Sequence, residues 1–162
     1  MDQADRIVEA NAAHARAFEA GALPVQPARK LTVVACMDSR LDVFASLGLD
    51  LGDAHVVRNA GGVVTDDVIR SVMISQRMLG TREIVLVHHT DCGLQRIREE
   101  HARAEIAAET GTEPPFALET FTDADDSVRR SIARIHASPF IAHKNVRGFV
   151  YDVVTGLLRE VV

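Results

Sequence analysis

The sequence contains little cysteine, few aromatic residues and no surplus of positive charge. Only two cysteines occur, and aromatic residues make up 4% of the 162 residues, with no tryptophan. Two cysteines are too few for a disulfide framework in a chain long enough to stabilise itself by burial, so we expect a reducing cytoplasm. The scarcity of aromatic side chains leaves no stacking surface for the bases of a nucleic acid.

Charge and hydropathy argue against two further classes of protein. Acidic residues number 23 against 18 basic residues, for a net charge of −5, which is unfavourable for binding phosphate backbones. Apolar runs are too short to span a bilayer, and the first residues lack the basic segment and apolar stretch of a signal peptide. We therefore expect neither a nucleic-acid partner nor a membrane partner, and a cytoplasmic location.

The chain has the size and composition of one compact domain over residues 1–162, with 47% hydrophobic and 25% charged residues. Within it, residues 1–27 are expected to form a helical arm and a linker. Helical periodicity covers residues 2–20, and a glycine and two prolines follow. The apolar stripe of this helix is narrow, so it gains little from folding alone, and we expect it to pack on the body or on a second subunit.

Strand and helix patterns alternate along the rest of the chain. Short β-branched runs predict strands at residues 31–36, 54–57 and 83–87. Later patterns predict helices at residues 65–79, 94–109 and 122–138, and a terminal strand pair on either side of Thr155-Gly156. The expected fold is α/β, with a central mostly parallel sheet of four strands plus an antiparallel edge strand, helices on its faces and the N-terminal helical arm.

Polar residues follow each of the first three predicted strands. The segments are Cys36-Met37-Asp38-Ser39-Arg40, Arg58-Asn59-Ala60-Gly61-Gly62 and His88-His89-Thr90-Asp91-Cys92-Gly93. Ligands of open α/β sheets bind beyond the carboxyl ends of the strands. The functional site is therefore expected at this edge, where both cysteines lie.

Two cysteines and a histidine form a soft ligand set that suits zinc. Neighbouring residues of a strand point to opposite faces, so only one of His88 and His89 is expected to face the site. The spacing to Cys92 favours His89. Cys36, His89 and Cys92 would together hold one zinc ion per chain. Three protein ligands leave a fourth position open for catalysis. Two alternatives stay open at this point: cysteines buried as small core residues, and a Cys36–Cys92 disulfide.

Three segments together resemble the signature of the β-class carbonic anhydrases, in the compact bacterial form. They are Cys36-x-Asp38-Ser39-Arg40, Arg58-Asn59-Ala60-Gly61 and His89-x-x-Cys92-Gly93. The resemblance implies zinc held by the two cysteines and His89, and reversible hydration of carbon dioxide to bicarbonate and a proton. It also implies a homodimer, or a dimer of dimers, in which the N-terminal helix reaches over the partner.

The resemblance also implies a catalytic dyad of Asp38 and Arg40 beside the metal. Asp38 would orient the attacking hydroxide by accepting its hydrogen bond, and Arg40 would keep Asp38 ionised and aligned. Either water or Asp38 itself fills the fourth zinc position. We assign the substrate pocket to the glycine-rich segment Ala60, Gly61 and Gly62, for which an ordinary turn is an equally good interpretation.

Two other functions fit the same ligands. A related zinc hydrolase could act on carbon disulfide or carbonyl sulfide, which are also small linear molecules. A zinc or thiol sensor could keep the ligands without turnover, although the intact dyad of Asp38 and Arg40 argues against it. We expect His88 to be a hydrogen-bonded packing residue and Arg58 to anchor the sheet edge or a dimer interface.

Overall fold

A five-stranded mixed sheet forms the centre of the computed structural model, which describes residues 2–162. The strands are β1 (Leu31–Cys36), β2 (Ala54–Asn59), β3 (Glu83–His89), β4 (Asn145–Tyr151) and β5 (Leu158–Val161). They lie in the order β2-β1-β3-β4-β5, with the first four parallel and β5 antiparallel to β4. The predicted sheet, including its antiparallel edge, is confirmed.

Five α-helices accompany the sheet in the described part of the chain. They are α1 (Gln3–Arg16), α2 (Val43–Leu47), α3 (Asp66–Arg77), α4 (Glu99–Thr110) and α5 (Ala124–Ala137). Helices α3 and α5 begin where polar side chains cap them: Thr65 accepts a hydrogen bond from Val68 N, and Asp123 accepts one from Asp126 N. None of the helices described for residues 2–162 is long and apolar enough to cross a membrane.

The predicted helix over residues 94–109 is wrong in its first part. A 3₁₀ turn covers Gly93–Arg96, and α4 begins only at Glu99. The physical reason is Gln95, whose side chain accepts a hydrogen bond from Cys92 N and donates one to Thr122 O. These bonds tie the turn to its surroundings, so the helix does not propagate through it.

The core lies on both faces of the sheet. Val33 and Val87 belong to one buried cluster, whereas their chain neighbours Val34 and Leu86 belong to the other. Strands β1 and β3 are therefore covered on both sides, which explains their continuous apolar runs. Burial on both faces fixes the carboxyl ends of these two strands relative to each other.

The N-terminal helix α1 is the exception, because every one of its residues is exposed. It ends at Arg16, four residues before the predicted end, and Ile7 and Val8 are 68% and 70% exposed. A short helix without tertiary contacts has little stability of its own. The end of α1 at Arg16, earlier than predicted, is consistent with this lack of tertiary contacts.

Candidate metal centre

Three side chains with metal-binding atoms converge at the carboxyl edge of the sheet. Cys36 ends β1, His89 ends the neighbouring β3, and Cys92 follows three residues later. Their sulfur and ring-nitrogen atoms lie within 4.8 Å of one another, and all three residues are buried. Neither cysteine is in a disulfide, the pairing that the sequence also allowed.

The ring of His89 is oriented with one nitrogen toward this cluster. Its Nδ1 lies 2.8 Å from the carbonyl oxygen of Thr90, and because a carbonyl only accepts, Nδ1 carries the hydrogen. The Nε2 atom then holds a lone pair, is buried, and has no hydrogen-bond partner. A buried acceptor without a partner is costly, and a metal ion would satisfy it.

The pKa values of the two cysteines are shifted in opposite directions. A hydrogen bond from the Cys92 thiol holds the pKa of Cys36 well below its usual range, although burial opposes the thiolate. The same hydrogen bond and burial raise the pKa of Cys92. The pair therefore holds one thiolate and one thiol by itself, and a bound cation would deprotonate the second. Two sulfurs and one imidazole nitrogen match zinc with an open fourth position.

Asp38 and Arg40 form a bidentate pair beside the cluster. Arg40 Nε donates to Asp38 Oδ1 at 2.9 Å and Nη2 donates to Oδ2 at 2.8 Å, while the Arg40 main-chain N–H also donates to Oδ1. These bonds hold the pKa of Asp38 well below its usual range. Asp38 Oδ2 is 3.6 Å from His89 Nε2, so an ionised carboxylate adjoins the cluster.

Arg58 anchors the edge of the sheet, which is one of the two roles expected from the sequence. Its Nε donates to the carbonyl of Cys36 and its Nη2 to that of Asp38, both at 2.8 Å. It therefore holds the main chain on both sides of Met37, between a cluster cysteine and the dyad carboxylate. The parallel pairing of β2 with β1 places Arg58 opposite Ala35, a contact that could have been inferred once the strand order was known.

The segment after β2 passes very close to the strand ends. Gly62 has φ +68°, and a Cβ atom there would lie 2.7 Å from Cys36 N and 3.0 Å from Val87 O. Only glycine fits such an approach. Gly61 and Gly62 are buried, whereas Ala60 is half-buried. Ala60 and Phe116 both line a groove of about 350 Å³. The assignment of these three residues to a substrate pocket stays a prediction.

His88 packs beneath this segment and is not part of the cluster. It is fully buried, and its Nε2 donates to the carbonyl of Gly62 at 3.1 Å. The ring also lies against Phe121, with centroids 5.7 Å apart. His88 is thus the hydrogen-bonded packing residue that the sequence predicted.

Buried His88 is expected to make folding dependent on pH. Burial lowers the pKa of His88 to about 4, whereas a histidine of the unfolded chain titrates near 6.5. Because the unfolded state then binds more protons, the free energy of unfolding is highest above about pH 6.5 and decreases as the pH falls toward about 4. Between about pH 7 and pH 5 this loss is about 2 kcal/mol, and a His88→Gln variant should lack it.

Urea unfolding at these two pH values measures the difference between wild type and variant. The matched control is His101→Gln, because His101 is an exposed histidine. Equal pH dependence in wild type and His88→Gln would contradict the assignment of a neutral, buried His88.

Comparison with known proteins identifies similar sequences and structures. The family model for carbonic anhydrase matches residues 31–111. Beta-carbonic anhydrase 1 of Mycobacterium tuberculosis is 50% identical over 99% of both chains, and a carbon disulfide hydrolase of Acidithiobacillus thiooxidans is 35% identical over 81% of this chain and 76% of its own. The crystal structure of carbonic anhydrase from Streptococcus mutans has a TM-score of 0.94 and 44% identity, and covers 100% of this chain and 99% of that one.

Proposed function

The chain belongs to the β-carbonic anhydrase family and is an enzyme of that family; we propose that it hydrates carbon dioxide reversibly on one zinc ion per chain. The observation that carries this proposal is the position of the buried, unpartnered His89 Nε2 beside two cysteine sulfurs and an ionised carboxylate. Cys36, His89 and Cys92 would hold the zinc. When bound, zinc makes a water molecule acidic enough to act as a nucleophile near neutral pH.

The surrounding residues supply orientation. Asp38, kept ionised by Arg40, would accept a hydrogen bond from the nucleophile and direct its lone pair toward the carbon of the substrate. Arg58 holds the main chain that carries Asp38. The hydrogen bond from His89 Nδ1 to Thr90 fixes which ring nitrogen faces the metal. In this arrangement Asp38 binds Arg40 with both oxygens, which favours water over Asp38 in the fourth zinc position.

The test is carbon dioxide hydration by the purified protein, followed by stopped-flow measurement with a pH indicator. We expect about one zinc per chain by elemental analysis, loss of activity after chelation, and recovery when zinc is restored. A hydration rate no greater than that of the chelated protein would refute the proposal and leave the zinc or thiol sensor as the better interpretation.

Carbon disulfide is a second candidate substrate, because a carbon disulfide hydrolase is 35% identical to this chain. The same protein preparation should be assayed for sulfide release from carbon disulfide and from carbonyl sulfide. We expect the larger kcat/KM for carbon dioxide. The opposite order would reassign the substrate while keeping the metal centre.

We also propose a homodimer, or a dimer of dimers, in which α1 packs on the partner subunit. The helix has no buried residue within its own chain, yet it carries Ile7 and Val8, and Phe18 follows it. Apolar side chains on a helix that its own subunit leaves uncovered fit a symmetric interface with a second copy.

Deleting residues 1–24 is expected to shift the protein toward monomer and to lower its melting temperature. Light scattering at micromolar concentration measures the mass. A double variant, Ile7→Ser with Val8→Ser, should weaken the dimer in the same direction, and Glu9→Ser on the same helix serves as the control. An unchanged mass and stability after the deletion would contradict this interface.

A further inference from the structure

Arg40 has a second carboxylate partner, Asp91, in addition to Asp38. Its Nη1 donates to Asp91 Oδ2 at 2.9 Å, and its Nη2 donates to the main-chain oxygen of Asp91 at 3.0 Å. Asp91 lies between His89 and Cys92 on the loop that carries two of the cluster residues. The guanidinium of Arg40 therefore joins this loop to Asp38.

The main chain at Asp91 is shaped for this contact. Asp91 has φ +54°, a left-handed conformation that a non-glycine residue adopts at some cost and that aspartate tolerates better than most. With this backbone, both the carbonyl and the carboxylate of Asp91 reach the same guanidinium. Arg96, from the following 3₁₀ turn, donates to the other carboxylate oxygen and anchors Asp91 in turn.

The second partner matters because Arg40 lies near the surface. Its side chain is 44% exposed, and an exposed ion pair by itself is weak and leaves a long side chain free to change rotamer. Asp91 adds two further hydrogen bonds from a separate element. The guanidinium then makes four hydrogen bonds, two to Asp38 and two to Asp91. Few orientations of the Arg40 side chain satisfy all four.

We propose that Asp91 is a positioning residue of the active site, which holds the Arg40 guanidinium so that Asp38 meets the metal centre in one orientation. This inference rests on the proposed function, because the dyad has a catalytic role only if the metal chemistry occurs. Asp91 itself does not touch the reacting atoms; it acts through Arg40.

A double-mutant cycle tests this role. Asp91→Gly removes the side chain without strain, since glycine accepts the positive φ. We expect kcat to fall about tenfold with KM and zinc content unchanged, because loss of orientation affects the reacting geometry and not binding. In an Arg40→Ala background, Asp91→Gly should lower kcat no further. If it lowers kcat equally in both backgrounds, Asp91 acts by another route and the proposal is overturned.

The matched control is Glu160→Gln. Glu160 forms a bidentate ion pair with Arg147, between β4 and β5, and this pair is also partly exposed. Loss of this pair is expected to leave kcat unchanged. A tenfold decrease in Glu160→Gln as well would show that the loss in Asp91→Gly is a general effect of removing a surface ion pair, which would also overturn the proposal.

A second readout does not depend on turnover. The Nε–H resonance of Arg40, assigned by its disappearance in Arg40→Ala, should exchange slowly with solvent in the zinc-loaded wild type and rapidly in Asp91→Gly. Unchanged exchange would overturn the positioning role even if kcat falls. If the wild type hydrates no carbon dioxide, the proposed function fails by itself, and this resonance still decides whether Asp91 orders Arg40.

Discussion

Replacing Cys92 by serine is expected to remove zinc from the protein and to abolish hydration of carbon dioxide. A serine hydroxyl is neutral and hard where the cluster requires a soft thiolate, so only Cys36 and His89 would remain as ligands. Two protein ligands neither hold zinc tightly nor fix its open position. We expect zinc content to fall from about one per chain to near zero and kcat/KM to fall by about a thousandfold or more.

Elemental analysis after purification without chelator measures zinc, and the stopped-flow assay measures the rate. The His89→Gln variant should behave in the same way, and His101→Gln is its matched control at an exposed position. Circular dichroism distinguishes loss of metal from loss of fold. A Cys92→Ser protein that keeps a full complement of zinc would contradict the assigned ligand set.

Replacing Arg40 by alanine is expected to lower kcat about a hundredfold while zinc stays bound. Asp38 would lose both side-chain hydrogen bonds from Arg40, and its pKa would rise toward the ordinary range. The carboxylate would then be free to turn away from the metal centre. Zinc content should not change, because Arg40 contacts two carboxylates and none of the three cluster residues.

Arg159→Ala is the control for this variant, since Arg159 makes a similar bidentate pair with Asp125 and lies on β5, two strands away from β3. We expect it to retain the wild-type rate. Asp38→Asn should resemble Arg40→Ala, and the double variant should be little worse than either single variant if the pair acts as a unit. Wild-type kcat in Arg40→Ala would remove the assigned role of the dyad.

The predicted strands agree with the structure because the signal for each strand is local. The β-branched run at residues 31–36 has the same bounds as β1. Strands β2 and β3 continue two residues beyond the predicted ends, into Asn59 and His89, where polar side chains interrupt the apolar pattern but parallel pairing persists. The five-residue helix α2 escaped prediction because one turn is too short to show periodicity.

The candidate ligands were also accessible from the sequence. Cys36 and His89 end strands, and Cys92 is three residues from His89, so the prediction needed only that β1 and β3 be neighbours. Parallel strands end at the same edge, which brings these residues together whatever the details of packing. The structure adds the orientation of the His89 ring, which depends on a hydrogen bond to Thr90.

The sequence by itself determined the sheet, its carboxyl edge and the residue types assembled there, because apolar periodicity and strand-end position are properties of short segments. Only the tertiary structure decided how that edge is held: Arg58 on the carbonyls of Cys36 and Asp38, and Asp91 on Arg40. These contacts join residues 20 to 51 positions apart. They depend on side-chain rotamers and on a left-handed turn at Asp91, which become defined only when the packed strands bring the loops together.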